Sequence, residues 1–340
     1  MPEGHTIHRL AAALNELYGG QNLHASSPQG RFADGASRLD GQVLLGGQAH
    51  GKHLFLPFGP RPDMPLDDAS VTWLRIHLGL YGSWTFDGDR EFTAPHAIGA
   101  PRRRVGERGE HPLKGGGGSA LAGLKGGSVG VDPGEDTEGT GADSRGCPAP
   151  EDWEPPEPRG AVRLRLLGRH GVADLTGPAA CELLDAEGVA AVRRRLGPDP
   201  LRPDADVEVF VAKARSRRKS IGELLMDQAV ISGAGNIYRA ETLFRVGISP
   251  FRAGNRISEE RLRAIWEDLR PLMEYGVATG FITTVDLDDV PDPLPPDDLE
   301  AGRWYVYHRD GRPCLRCGTP VAEREMAARR LFWCPSCQAR

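Results

Sequence analysis

The sequence has no run near the roughly 18 consecutive apolar residues that a membrane-spanning helix requires, so a spanning protein is excluded. Its opening residues, MPEGHTIHRL, lack a basic segment followed by an apolar stretch, and no secretory signal is expected. Cysteine is scarce, with six in 340 residues. That is too few for a disulfide scaffold, so these side chains are read as thiols or metal ligands in a cytoplasmic protein. Lysine is scarcer still: Lys52, Lys114, Lys125, Lys213 and Lys219 are the only five among 42 basic residues.

The formal net charge of −5 conceals an uneven distribution. Residues 115–158 hold nine acids and two bases, a net −7, and the remainder of the chain is therefore +2. The same segment contains twelve Gly and six Pro. Such a stretch cannot bury enough apolar surface to offset its ordering entropy, and it is predicted to be a disordered loop over about 106–158. Bases gather elsewhere: eight Arg against three acids in 301–340, and five bases in seven residues at Lys213–Lys219. Clustered bases on a near-neutral body fit a polyanion-binding face, although each cluster alone also fits a solvated surface.

Ile7, Leu10, Ala11, Leu14 and Leu17 recur at helical spacing before Gly19-Gly20, predicting an N-terminal helix. Short β-rich runs follow at 43–45, 53–56, 71–76 and 83–86, and a fifth at 161–167 alternates apolar and basic residues. That fifth strand places the acidic loop inside a β domain. From about residue 178 the pattern turns helical, with candidates at 179–185, 207–214, 221–228, 237–245 and 258–275. The Pro-rich, acidic stretch 286–300 reads as a linker to a small C-terminal module. The fold class expected is α+β and multidomain, divided at 1–170, 171–290 and 300–340.

The strongest motif is Cys314-Leu-Arg-Cys317 followed, after sixteen residues, by Cys334-Pro-Ser-Cys337. Two such knuckles match a tetrahedral four-cysteine site for one structural Zn²⁺, which would supply folding free energy to so small a module. Cys147 falls in the acidic loop and Cys181 in a predicted helix, and neither has a partner at knuckle spacing. Arg329 and Arg330 lie between the knuckles, in an expected hairpin. From spacing alone they read as surface arginines.

Three weaker signals carry chemistry. Removal of Met1 ahead of the small residue Pro2 would free a secondary amine. An α-amine titrates near pKa 7.7–8.0, so part of it is neutral and nucleophilic at neutral pH, and Glu3 is adjacent for proton transfer. Gly51-Lys52-His53 puts a rare Lys, which can change protonation state, at the head of an apolar strand. Gln228 through Gly233-Ala-Gly235-Asn236 is a glycine-containing turn opening a helix, where backbone N–H groups can meet a phosphate.

Together and in this order, Met1-Pro2-Glu3-Gly4-His5, Gly51-Lys52-His53-Leu54, Leu225–Tyr238 and the four-cysteine module with Arg329 resemble the formamidopyrimidine-DNA glycosylase/endonuclease VIII family. The resemblance is greatest to its actinobacterial endonuclease VIII-like branch and covers nearly the whole chain outside 106–158. It implies an N-terminal helix plus β-sandwich, a helical helix–two-turn–helix domain and a C-terminal zinc-ribbon hairpin. It implies a bifunctional DNA glycosylase and abasic-site lyase of base-excision repair, acting as a monomer on double-stranded DNA with damaged bases or abasic sites. Pro2 would form the Schiff base, followed by β,δ-elimination, with Glu3, Lys52 and Arg329 as further catalytic residues. Asn236 and Gly235 would contact DNA, and Leu80 and Tyr81 would fill the gap left by the extruded base. Leu80-Tyr81 and the MPEGH start favour oxidised pyrimidines. An 8-oxoguanine or formamidopyrimidine glycosylase, and a non-catalytic zinc-containing nucleic-acid-binding protein, are the alternatives.

Overall fold

A computed structural model describes residues 2–100 and 153–339. The chain opens with α1 (Gly4–Tyr18), β1 (Asn22–Ser26), α2 (Ala33–Leu39), β2 (Gln42–Leu44), β3 (Gln48–His50), β4 (His53–Gly59) and β5 (Thr72–His77). It continues through β6 (Ser83–Gly88), β7 (Ala97–Gly99), β8 (Val162–Leu167), β9 (Gly171–Thr176) and β10 (Ala180–Leu184). The strands pair antiparallel in the order β10-β5-β4-β2-β1-β8-β9-β6-β7, with β3 on the edge of β4.

β1 belongs to both halves of this arrangement. Asn22 and Leu23 pair with β2, while His24–Ser26 pair with β8. The sheet thereby folds into a two-layer sandwich. Leu54, Leu56, Leu74 and Ile76 of one layer share a core with Trp84, Leu164, Leu166 and Leu175 of the other. β8 shows why its sequence alternates: Val162, Leu164 and Leu166 are buried, and the arginines between them lie half-buried on the opposite face, Arg165 paired with Asp174 at 2.8 Å. Ile7, Leu10 and Leu14 of α1 join the same core at a spacing of three to four residues.

The helical half holds α3 (Ala186–Arg194), α4 (Val207–Arg215), α5 (Ile221–Leu224), α6 (Asn236–Arg245) and α7 (Glu259–Thr279). Ser258 caps α7 as its sequence predicts, accepting the Arg261 N–H. α1 also packs on α7, and Arg9 donates to the carbonyls of Val277 (3.0 Å) and Ala278 (2.9 Å) at the end of α7. The first helix thus joins the two halves. Among the described residues no helix is long and apolar enough to cross a membrane.

Five expectations are corrected. Residues 179–185 form strand β10 rather than a helix, because the edge of β5 offers open hydrogen-bonding partners from His77 to Trp73. A short apolar run is ambiguous by periodicity alone. Cys181 is consequently a strand residue. β9 and β10 also carry the sandwich past residue 170, to Leu184. The predicted helix over 221–228 stops at Leu224 and gives way to turns. The C-terminal module is not held by its metal alone: Val321 and Phe332 are buried in one core with Phe244, Trp304 and Tyr305. The predicted disordered loop, with Cys147, lies outside the described residues up to 152. Beyond that, Trp153 donates to Asp87 (3.1 Å) and the Pro156 carbonyl accepts from Arg165 (2.8 Å), so 153–158 lies packed along the sandwich.

Candidate active site and nucleic-acid interface

Glu3 is the extended residue immediately before α1 and is almost fully buried. Its carboxylate reaches across to α6, where Oε1 accepts the Ile237 N–H at 3.0 Å. A helix N-terminus favours an anion through its free N–H groups and its dipole. The next residue, Gly4, donates its N–H to the Gly233 carbonyl at 2.8 Å. The glycine-containing turn before α6 therefore docks directly on the N-terminus. Gly235 is required there: a Cβ would lie 2.3 Å from the Glu3 carboxyl carbon.

Lys52 occupies the two-residue turn between β3 and β4, where His50 pairs with His53. Gly51, at φ +58°, gives the turn its left-handed residue. The Gly51 N–H donates to Asp199 Oδ2 at 2.7 Å. Asp199 is fully buried and also accepts from His8 Nε2 (2.7 Å) and the Leu201 N–H (3.0 Å). One carboxylate thus ties the lysine turn, α1 and the segment entering the helical half. Burial lowers the Lys52 pKa and the Arg329 charge lowers it further, while Glu3 opposes both. A lysine in that position is eased towards proton exchange.

A cavity of about 230 Å³ brings together Pro2, Lys52, Leu80 and Arg329, from four separate parts of the chain. Lys52, His77 and Gln228 supply polar lining, and Met226 and Leu78 apolar lining. Leu80 and Tyr81, at the β5–β6 turn, are 44% and 62% exposed. Large apolar side chains left out of the core beside a cavity are suited to inserting into a partner. A larger hollow of about 670 Å³ beside Trp153 and His170 contains none of the candidate residues.

The hairpin β11 (Ala322–Met326) and β12 (Arg329–Trp333) delivers Arg329 to the cavity. Asn236, the first residue of α6, is buried and points at this hairpin: its Nδ2 donates to the Arg330 carbonyl at 2.9 Å. The four cysteine sulfurs lie within 4.8 Å of one another, with Cys314–Cys337 at 3.9 Å and Cys317–Cys334 at 3.4 Å. A tetrahedral zinc with Zn–S of about 2.3 Å places its sulfurs roughly 3.8 Å apart, so the four thiols fit that ion and are too distant for disulfides.

The basic stretch 213–219 divides by role. Lys213 donates to the Ala229 carbonyl, Arg215 to the Ile257 carbonyl, and Arg217 pairs with Asp227. These three hold the turns around α5, while Arg218 and Lys219 are exposed. Asp199 and Arg239 carry no sequence signal, whereas Gln228 heads the glycine-containing turn that the sequence marks. Gln228 closes the turn before α6, donating to the Ala234 carbonyl (3.0 Å) and accepting the Gly233 N–H (3.0 Å).

Three family descriptions match: the formamidopyrimidine-DNA glycosylase N-terminal domain over 1–105, the formamidopyrimidine-DNA glycosylase H2TH domain over 196–287, and the zinc finger found in FPG and IleRS over 311–340. The chain is 38% identical to Endonuclease 8 1 of Mycobacterium bovis and of Mycobacterium tuberculosis, covering 99% of this chain and 100% of theirs. It is also 38% identical to the formamidopyrimidine-DNA glycosylase of Xanthomonas campestris, over 42% of this chain and 52% of that one. The solved complex between Lactococcus lactis Fpg and an abasic site containing DNA has a similar fold. Its TM-score is 0.63 at 18% identity, covering 99% of this chain and 100% of that one.

Proposed function

Because the chain belongs to the formamidopyrimidine-DNA glycosylase family that includes endonuclease VIII, we propose that it is a base-excision-repair DNA glycosylase with abasic-site lyase activity, working from Pro2. The observation that supports this most directly is the convergence of Pro2, Lys52 and Arg329 on one cavity, with the Glu3 carboxylate against α6.

With Met1 removed, the Pro2 nitrogen is a secondary amine. Its lone pair attacks C1′ of the damaged nucleotide, and the base departs with its bonding electrons and a proton. The Glu3 carboxylate takes the proton from the Pro2 nitrogen and passes it to O4′, so that the sugar ring opens and leaves an iminium between Pro2 and C1′. Loss of a C2′ proton expels the 3′ phosphate, and a second elimination expels the 5′ phosphate. Water then hydrolyses the iminium and frees Pro2. Lys52, with its lowered pKa, is assigned to proton exchange at the departing base or to a phosphate.

DNA is the partner in this reading, held by phosphate contacts near Arg329. Leu80 and Tyr81 take the space of the flipped nucleotide, as apolar wedges do in other systems. Cys314, Cys317, Cys334 and Cys337 would hold one structural Zn²⁺, which would brace the hairpin that carries Arg329. The base preference assigned is for oxidised pyrimidines, and the location assigned is the cytoplasm, where the four thiols stay reduced for metal.

The experiment is borohydride trapping of untagged protein on duplexes carrying thymine glycol, 8-oxoguanine or a bare abasic site. A covalent adduct on thymine glycol is expected. An adduct confined to 8-oxoguanine would overturn the base preference, and none on any duplex, with Met1 confirmed absent, would overturn the enzyme assignment.

A further inference from the structure

Arg239 is a charged side chain with no solvent exposure and, among the described residues, no hydrogen-bonded carboxylate. Buried guanidinium groups are ordinarily paired with an acid, because uncompensated burial of a charge is costly. Here the partners are backbone and amide oxygens. Nη1 donates to the Met326 carbonyl at 3.2 Å, and Nη2 donates to the Arg330 carbonyl at 3.2 Å and to Asn236 Oδ1. Its pKa falls to about 10 through burial, with Glu3 opposing, so it remains cationic at neutral pH.

The two carbonyls it grips bracket a specific piece of backbone. Met326 and Arg329 pair across the turn Ala327-Ala328, and both alanines sit at φ +54°. Such two-residue turns ordinarily use Asn or Gly, and an alanine in the left-handed region costs about 1 kcal/mol. The turn is therefore disfavoured by its own residues and held from outside. Asn236 adds a second bond to the Arg330 carbonyl, and the Met326 sulfur lies 3.8 Å from the Ser220 hydroxyl. Arg329 is the first residue after this turn.

We propose that Arg239 is a positioning residue for the lesion site: its fork clamps the hairpin tip to α6 so that Arg329 is presented to the cavity opposite Pro2 and Lys52. This rests on the functional reading above and adds to it a residue that touches neither substrate nor metal. A planar fork that spans two carbonyls is a task a single ammonium cannot perform.

The test uses the full-length, zinc-loaded protein and an abasic-site duplex. Arg239→Met removes the fork at similar volume, and Arg239→Lys keeps the charge but loses the fork. Each is made alone and with Arg329→Ala, and zinc content is measured first. Both variants are expected to retain one zinc and to weaken duplex binding about tenfold, the scale of one charge-assisted contact. In the Arg329→Ala background the same substitutions should change binding less than about twofold, since residues acting as a unit are not additive. Equal effects in the two backgrounds would overturn the proposal, as would loss of zinc in both variants, which would make Arg239 part of the metal module's fold. If Arg239→Met alone misfolds, Arg239→Lys carries the comparison. A wild-type protein that neither binds nor is trapped on the duplex would instead sink the functional reading, and this inference with it.

Discussion

The Glu3 carboxylate accepts the Ile237 N–H at 3.0 Å, so the residue beside the candidate nucleophile is anchored to the first turn of α6 in the other half of the molecule. The bond exists only because Gly235 leaves room for it. The backbone of Gly235, at φ −128°, is open to any residue, so substitution there tests space rather than strain. Gly235→Ala should cost about 1–3 kcal/mol, the usual penalty of overpacking a filled site. It should also slow excision. In a Glu3→Ala background the added methyl should cost little stability, because its obstacle is gone. Equal costs with and without the Glu3 carboxylate, measured by denaturant unfolding, would show that the two residues do not meet.

Acid should destabilise the fold through His5. This ring is 4% exposed and packs edge-on against Tyr238 at 5.6 Å. Burial lowers its pKa from 6.5 to about 3, with nearby positive groups adding to the effect. The folded state thus holds a neutral ring where the unfolded chain would bind a proton. Between pH 6.5 and about 3 the unfolded state binds more protons, so stability falls as pH falls, and above 6.5 His5 contributes nothing. At about pH 4.5 the loss from this ring is about 3 kcal/mol. His53 is displaced in the same direction, also mainly by burial, and steepens the same limb. Thermal unfolding from pH 4 to 8 should show the slope, and His5→Asn should flatten it. An unchanged slope in that variant would place the acid sensitivity elsewhere.

The parts of the site that sequence made legible are those whose chemistry is local. The cysteine knuckles, the glycine-containing turn and the Gly51-Lys52 turn each announce themselves within a few residues. Asp199 and Arg239 do not. Asp199 sits in Gly197-Pro-Asp-Pro200, which reads as a surface turn, and only the fold shows His8 and Gly51 arriving at its oxygens. Arg239 lies within a helix, where a long charged side chain usually reaches solvent. Its burial depends on a hairpin some 90 residues later in the chain. β10 is illegible for the same reason: five residues with no clear period become a strand because β5 has a free edge.

Leu80 and Tyr81 separate a folding role from a functional one. Both are substantially exposed, so truncation removes little buried surface. Leu80→Ala and Tyr81→Ala should each leave stability within about 0.5 kcal/mol of the parent, as surface substitutions do. If they fill the gap left by an extruded base, single-turnover excision from a paired duplex should fall about tenfold or more. Cleavage at a preformed abasic site should fall less, because less unstacking remains to be offset. Parallel losses on both substrates would argue for a general DNA contact, and no loss on either would leave the pair without a role in the reaction.

Zinc removal should release the hairpin without melting the helical half. The Glu241 carboxylate on α6 is fully buried and accepts three successive backbone N–H groups, from Tyr305, Val306 and Tyr307, at 2.8–2.9 Å. The Arg309–Asp298 ion pair, also buried, fixes the segment just before the first knuckle. These contacts hold the chain up to Cys314 independently of metal. Beyond Cys314, Val321 and Phe332 reach the shared core from a two-stranded hairpin, a unit that is marginal alone. Chelation, or Cys334→Ser, should therefore abolish zinc content and abasic-duplex binding while most helical circular dichroism persists. Complete loss of the helical signal would mean that the metal supports both halves of this core. Retained binding without metal would detach Arg329 and its hairpin from the DNA-contacting surface.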